Sequence, residues 1–524
     1  GKKAVLNHHN EVPFHLLRCD PELSVGEASG NLLVQGDNLL ALKALLPYYA
    51  GQVKCIYIDP PYNTGNEGWV YNDNVNSPEM QEWLGKVVGN EAEDLSRHDK
   101  WLCMMYPRLV LLREMLREDG SIFISIDDIE VANLRNIMNE IFGPSNFVIN
   151  LIWEKKFSPQ NDEKYVTATH DHILLYAKNK AKLKINLLPR NEDTDKRYLN
   201  LDNDPRGPWS SGDLTSKTKA QGHSYEIISP TGKIFLPPGN RQWAPSYTTY
   251  LKLKEENRLW FGSNGNNVPR QKVFLSEVQQ GVVPMSIWKH TDVGHNQEAK
   301  QELSGLTERN SDFETPKPTR LMERILQLVT TKDDLILDAF AGTGTTGHAV
   351  IKKNAEDNGN RRFILIEIDE RIATTITRVR LKHVVEGNNW VDQKGKTRQI
   401  PGLGGGFHYC ELGPTLFDAS GQIRSEVSFA DLARHVFFTE TGQPLPAGEQ
   451  ENALLGECNG TAVYLLYNGV MRDAGNVLTP QTLAQLPPFD GPKVIYADGC
   501  KMGRERLREM GVSFKQIPYE IKVR

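Results

Sequence analysis

Nowhere in the 524 residues does an uninterrupted apolar run approach the roughly 18–20 positions of a membrane-crossing helix. The opening stretch GKKAVLNHHNEVPF lacks the apolar centre of a secretory signal. Cysteine is scarce: Cys19, Cys55, Cys103, Cys410, Cys458 and Cys500 show no C-x-x-C spacing. That argues against zinc and against a disulfide framework, and no metal site is expected. Several cysteines sit in apolar runs such as VKCIYI, which predicts reduced core thiols in a cytoplasmic protein without membrane contact. Net positive charge is lacking too, with 61 Lys+Arg against 66 Asp+Glu.

What is present is a globular composition, 39% hydrophobic and 24% charged, too long for one compact core. Two or three domains are expected. The charge is uneven: residues 151–310 hold 23 Lys+Arg against 18 Asp+Glu, with five of the nine tryptophans. A mildly basic, aromatic-rich segment in an acidic chain suits a DNA-reading module, and equally an ordinary β-rich domain.

The first half alternates strands and helices, the pattern of a mostly parallel sheet covered on both faces. Strand Leu32–Val34 ends at Gly36-Asp37 and a helix follows over Asn38–Leu46. The buried strand Val53–Ile58 then runs into Asp59-Pro60-Pro61, whose prolines cannot continue a central ladder. Residues 63–96 read as a long polar loop. Trp101, Met105, Leu109, Leu112 and Leu116 mark an amphipathic helix, Ser121–Ile126 a strand, and Leu134–Ile141 a helix stopped by Gly143-Pro144. From about Leu183 to Asn310 the rhythm is lost. It resumes with helix Pro318–Val329, strand Leu335–Ala339, helix Thr346–Asn354, strand Phe363–Ile366 and helix Glu370–Lys382. Beyond Gly402–Gly406, strands are expected at Ala462–Tyr467, Lys493–Tyr496 and Phe514–Ile521, with helix Arg504–Met510. The domains are therefore set at 1–182, 183–312, 313–400 and 401–524.

Two motifs carry chemistry. Residues 338–347, DAFAGTGTTG, lie between a strand and a helix, and Gly342, Gly344 and Gly347 fit G-x-G-x-x-G. Such a loop lets the backbone approach a ligand at a helix N-terminus, and Glu367, at the end of the next strand, is placed to accept ribose hydroxyls. On this pattern alone a nicotinamide dehydrogenase remains open. The second motif is Asp59-Pro60-Pro61-Tyr62, at the carboxyl end of a buried strand. Read blandly, it is a strand-ending turn. Read chemically, the Asp59 carboxylate and the Pro60 carbonyl are two acceptors for the N–H bonds of a nucleobase amine. They would favour a pyramidal, more nucleophilic nitrogen. Tyr62 would stack on the base, which must first leave the duplex.

With DPPYNTG at 59–65 ahead of DAFAGTGTTGHAV at 338–350, the chain resembles the amino-methyltransferases of DNA in which the catalytic motif precedes the cofactor motif. GDNLLALKALL at 36–46, WLCMMYPRLVLLREML at 101–116, GSIFISIDDIE at 120–130 and TPKPTRLMERIL at 315–326 extend the likeness. It is nearest to modification subunits of type III restriction systems and related solitary methyltransferases. It covers most of 30–180 and 313–382.

The resemblance implies a doubly wound α/β methyltransferase fold, mostly parallel, with a target-recognition insert and a small C-terminal α/β domain for dimerisation or partner docking. It implies transfer from S-adenosylmethionine to N6 of a flipped adenine in double-stranded DNA. Asp59, Pro60, Pro61 and Tyr62 would form the catalytic pocket. Asp338, Phe340, Gly342, Gly344 and Thr345 would wrap the cofactor, with Glu367 on its ribose, Asp37 near its adenine, Lys317 near its carboxylate and Asp59 beside it. Asp37 also reads as a helix N-cap, and Lys317 as an exposed charge beside Pro318. Asp rather than Ser at 59 favours adenine over cytosine-N4. The insert is short for the type III class, which leaves a restriction subunit open. A homodimer is expected. RNA methylation and a non-catalytic DNA-binding relative are the remaining alternatives.

Overall fold

Parallel pairing of short, wholly apolar strands organises the chain. The structure is a computed structural model and describes residues 6–27, 30–63, 93–158, 165–190, 192–218, 221–307, 313, 315–391, 397–446, 452–469 and 474–518. It divides into one unit of residues 1–186 and 285–524 and a second of residues 187–284.

The first unit holds a ten-stranded sheet. In chain order its strands are β1 (His15–Gly26), β2 (Leu32–Gln35), β3 (Val53–Ile58), β4 (Leu116–Ile126), β5 (Phe147–Glu154), β6 (His170–Ala177), β7 (Ile287–Trp288), β8 (Leu335–Asp338), β9 (Arg362–Glu367) and β10 (Gly406–Thr415). Across the sheet they run β1-β10-β2-β9-β8-β3-β4-β6-β5-β7. From β10 to β4 every pairing is parallel, and β1 and β6 join antiparallel. All six residues of β3 are buried, as befits a strand covered on both faces.

The helices that position the site are α1 (Asn38–Tyr49), α2 (Glu93–Met115), α3 (Val131–Phe142), α4 (Asn296–Leu306), α5 (Thr319–Val329), α6 (Thr345–Asp357) and α7 (Arg378–Glu386). Asp37 caps α1 by accepting from the amides of Leu39 (2.8 Å) and Leu40 (3.3 Å). Helix α5 turns Leu321, Met322, Ile325 and Leu326 into the core.

Several boundaries differ from the sequence reading. Helix α2 begins at Glu93, inside the expected loop, of which residues 64–92 lie outside the described residues. Strand β4 opens at Leu116 opposite Val53, and residues 117–120 are passed over before Ser121 meets Cys55. The helix expected over Glu370–Lys382 is interrupted by a π-turn at Ala373–Thr377. Strand β7 and helix α4, read as part of the insert, belong to the first unit, where β7 pairs with β5. Strand β10, read as part of the C-terminal domain, lies inside the main sheet between β1 and β2.

The cysteine reading needs correction. Cys19 and Cys410 face each other across β1 and β10 and are joined as a disulfide. Their separation of 391 positions left no spacing signal to read. Cys55 and Cys103 are free and buried.

After β10, strands Leu454–Cys458, Thr461–Leu465, Lys493–Ala497 and Val512–Gln516 form a four-stranded sheet packed by helix Phe429–Thr441. The second unit is built of short antiparallel pieces: Trp209–Asp213, Arg270–Phe274 and Leu259–Trp260 form its three-stranded sheet. Trp243, Leu214, Ile227 and Tyr250 fill its small core. Among the described residues no helix is long and apolar enough to cross a membrane.

Candidate active site

Four neighbouring parallel strands, β2, β9, β8 and β3, bring an acidic residue to their carboxyl ends: Asp37, Glu367, Asp338 and Asp59. This is the edge at which open α/β sheets hold ligands. One cation crosses the row. Lys317, buried just ahead of α5, donates from Nζ to Oδ2 of Asp59. Oδ1 of the same carboxylate is buried and meets no donor among the described residues.

The prolines after Asp59 carry the chain off the sheet. Trp101 of α2, fully buried, donates Nε1–H to the Pro61 carbonyl at 2.7 Å. Tyr62 lies with its ring centroid 5.3 Å from Lys317 Nζ. Its hydroxyl reaches Oδ2 of Asp171 at 3.4 Å, while Lys155 donates to Oδ1 of that carboxylate at 2.5 Å. Burial, opposed by Lys317 and Lys155, lifts the Asp171 pKa. Burial and the nearby Asp59 carboxylate push the Tyr62 phenol well above its ordinary value, so it stays neutral. Asn63 turns through φ 61° and donates to buried Glu130 at 2.6 Å, which Asn133 also meets at 2.8 Å.

The glycine loop between β8 and α6 is tied from three sides. Gly342 donates its amide to Glu367 (2.8 Å), and its carbonyl accepts from Thr377 Oγ1 (2.5 Å), the last residue of the π-turn. Asp338 accepts from the Phe340 amide (3.1 Å) and Thr346 Oγ1 (2.5 Å). Thr345 donates to the Lys317 carbonyl (3.2 Å) and accepts from the buried guanidinium of Arg380 (2.8 Å). Gly344 adopts φ 75°, and a Cβ there would lie 2.9 Å from Cγ2 of Thr377. What requires glycine at 344 is the chain's own wall rather than ligand approach. Burial raises the carboxyls of Asp338 and Glu367 to about 7 each.

The structure thus brings Asp59, Pro60, Pro61 and Tyr62, Lys317, Asp338, Phe340, the glycine loop and Glu367 to one edge. Asp37 caps α1 and is paired with Arg108 at 3.2 Å. Glu367 holds the Gly342 amide at 2.8 Å and, at 3.0 Å, that of Asp369, with the Ile368 amide also directed at the carboxylate. Thr345 acts as a buried link. Trp101, Lys155, Asp171 and Arg380 escaped the sequence reading. Trp101 was visible only as a helix-face residue, and nothing local marked Asp171. The edge fits a cationic donor bearing ribose hydroxyls and a carboxylate. Among the described residues it offers a buried carboxylate oxygen without a donor, two carboxyls raised to about 7, and the Lys317 ammonium for an anion.

The family of DNA methylases matches residues 53–378. The chain belongs to that family. It is similar to the StyLTI Mod subunit, a type III restriction-modification enzyme of Salmonella typhimurium, with 38% identity over 67% of this chain and 54% of that one. It is also similar to the EcoP15I Mod subunit of Escherichia coli, with 31% identity over 90% of this chain and 77% of that one. The chain therefore spans about half the length of the first relative and about three quarters of the second. Among solved structures, the M1.HpyAVI–SAM complex matches 66% of this chain and 97% of its own, at 15% identity and a TM-score of 0.29.

Proposed function

We propose that this chain transfers the methyl group of S-adenosylmethionine to N6 of an adenine in double-stranded DNA. The observation that supports this reading is Oδ1 of Asp59, buried and without a partner among the described residues. An adenine amine is a weak nucleophile because its lone pair is delocalised into the ring. Asp59 Oδ1 and the Pro60 carbonyl accept its two N–H bonds, and Tyr62 stacks on the base taken out of the helix. The cofactor supplies an electrophilic methyl group on a sulfonium. Asp338, Phe340, Gly342, Gly344, Thr345 and Glu367 form its cradle, Asp37 borders its adenine, and Lys317 is the cation available to its carboxylate.

Residues 187–284 carry 13 Lys+Arg against 10 Asp+Glu and serve as the target-recognition domain. This narrows the expected 183–312 segment, because β7 and α4 lie in the first unit; 1–182 and 313–400 stay as the two catalytic halves, and the expected 401–524 segment starts after Thr415, because β10 lies in the main sheet. The last of these segments supports pairing with a second copy and docking of a restriction subunit. We place the activity in the cytoplasm. The test is incubation with labelled S-adenosylmethionine and duplex DNA, with the product nucleosides identified by mass spectrometry. N6-methyladenine is expected. Label on cytosine N4, on RNA alone, or on nothing overturns the reading.

A further inference from the structure

We propose that His170, His172 and Asp128 form a binding site for a first-row transition-metal dication, of which Zn²⁺ is the reference case. The site lies outside the glycine loop and the catalytic turn and does not depend on the proposed methylation.

The placement follows from the sheet. His170 and His172 are two apart on β6, so both rings project from the same face, while Asp171 between them turns to the other face and meets Tyr62. Strand β4 pairs antiparallel with β6, Ile126 standing opposite His172, and Asp128 lies just past the end of β4. The three side chains each offer one ligand atom, and these atoms lie within 4.8 Å of one another. Oδ1 of Asp128 is 2.8 Å from Nε2 of His172 and 3.9 Å from Nε2 of His170. The two imidazoles meet edge to face, with centroids 5.2 Å apart. Two imidazole nitrogens and one carboxylate are the donor set of zinc, nickel and cobalt sites. The Asp128 side chain is 66% exposed, which leaves the remaining coordination positions open to water.

A second observation points the same way. Asn150 of β5 presents Nδ2 to Nδ1 of His172 at 2.9 Å and leaves its own Oδ1 buried without a partner among the described residues. In that arrangement Nδ1 accepts, so Nε2 carries the proton and donates it to Asp128. A half-turn of the Asn150 amide places Oδ1 on Nδ1, which then holds the proton. Nε2 is left with a free lone pair directed at Asp128 and His170. The ring stays neutral and no proton is lost; only the tautomer changes. Metal-bound histidines are held this way by a carbonyl acceptor behind the ring. The spare Oδ1 of Asn150 gains a hydrogen bond once Nδ1 of His172 carries the proton, which is the tautomer that metal binding at Nε2 requires.

The experiment uses the full chain, stripped with a chelator and titrated with Zn²⁺ by calorimetry and with Co²⁺ by visible absorption. The expected result is binding at this site that weakens at least about tenfold in His172→Ala and in Asp128→Asn, and disappears in His170→Ala/His172→Ala. Asn150→Ala weakens it by a similar factor while leaving all three ligands in place, a loss that a chance surface cluster would not show. Circular dichroism establishes that each variant is folded. Zn²⁺ affinity unchanged in the double variant, or no d–d absorption with Co²⁺, overturns the proposal.

Discussion

Lys317 holds Oδ2 of Asp59, and Oδ1 of the same carboxylate is buried with no partner among the described residues. The main-chain carbonyl of Lys317 accepts from Thr345 in the glycine loop. One residue therefore joins the two motifs, its backbone on the cofactor side and its ammonium on the catalytic side.

Asp59→Ala removes the acceptor and leaves the loop intact. Turnover is expected to fall by roughly 100–1,000-fold, as when one preorganised partner of a developing charge is lost. Calorimetry should show S-adenosylmethionine still binding. Lys317→Met strands the Asp59 charge and should cost about 1–3 kcal/mol in denaturant unfolding, less than a fully buried pair because Asp59 keeps some solvent. The double variant Lys317→Met/Asp59→Asn should recover part of that loss, and strict additivity would refute the coupling.

Tyr62 separates stacking from hydrogen bonding. Its contact with Asp171, at 3.4 Å, is long for a hydroxyl donor and contributes little. Tyr62→Phe is thus expected to keep activity within about threefold, whereas Tyr62→Ala, without a ring, should lose about 1–3 kcal/mol of base binding. Fluorescence of 2-aminopurine at the target position reads the difference. Equal loss in both variants would show that the hydroxyl matters more than the ring.

Gly344→Ala meets two obstacles, a left-handed backbone and the methyl of Thr377. A destabilisation of about 1–3 kcal/mol is expected, with weaker cofactor binding. Thr377→Ser removes the methyl and keeps the hydroxyl that donates to Gly342. It should rescue the steric part in the double variant and leave the backbone cost, measurable as a partial recovery of Tm.

The carboxyls of Asp338 and Glu367, raised by burial to about 7, bind protons more tightly folded than unfolded. Their contribution to stability is present in full below about pH 4 and is lost as pH rises toward 7. Asp338→Asn should flatten the fall of Tm across that window. Cofactor binding near pH 7 should release protons, since a cation favours the ionised acids. Calorimetry in buffers of different ionisation enthalpy measures that release.

The turn at residues 59–62 was legible because its signal is local: VKCIYI is a wholly buried strand and DPPY must end it. The glycine loop was legible for the same reason. The bond from Lys317 to Asp59 spans 258 positions and left only a lysine beside a proline to read. Asp171 stands between two histidines at the start of its strand, and nothing in that spacing points to Tyr62, 109 positions away. The π-turn that brings Thr377 to the loop has no composition of its own. Strand β10 escaped because its partner β2 is short and lies far back in the chain, so no alternation in one predicts the other.

That strand has a consequence for how the molecule is made. Residues 406–415 fill the position between β1 and β2, so during synthesis β2 has an open edge until the ribosome has passed residue 415. Until then a nascent chain that already holds the catalytic turn exposes unpaired backbone, a template for wrong pairing. Arrest before that point should yield chains that aggregate or recruit chaperones, whereas arrest after it should yield a closed edge. Pairing at such sequence separation is slow to form, and the proposed methyl transfer is expected to appear late in biogenesis.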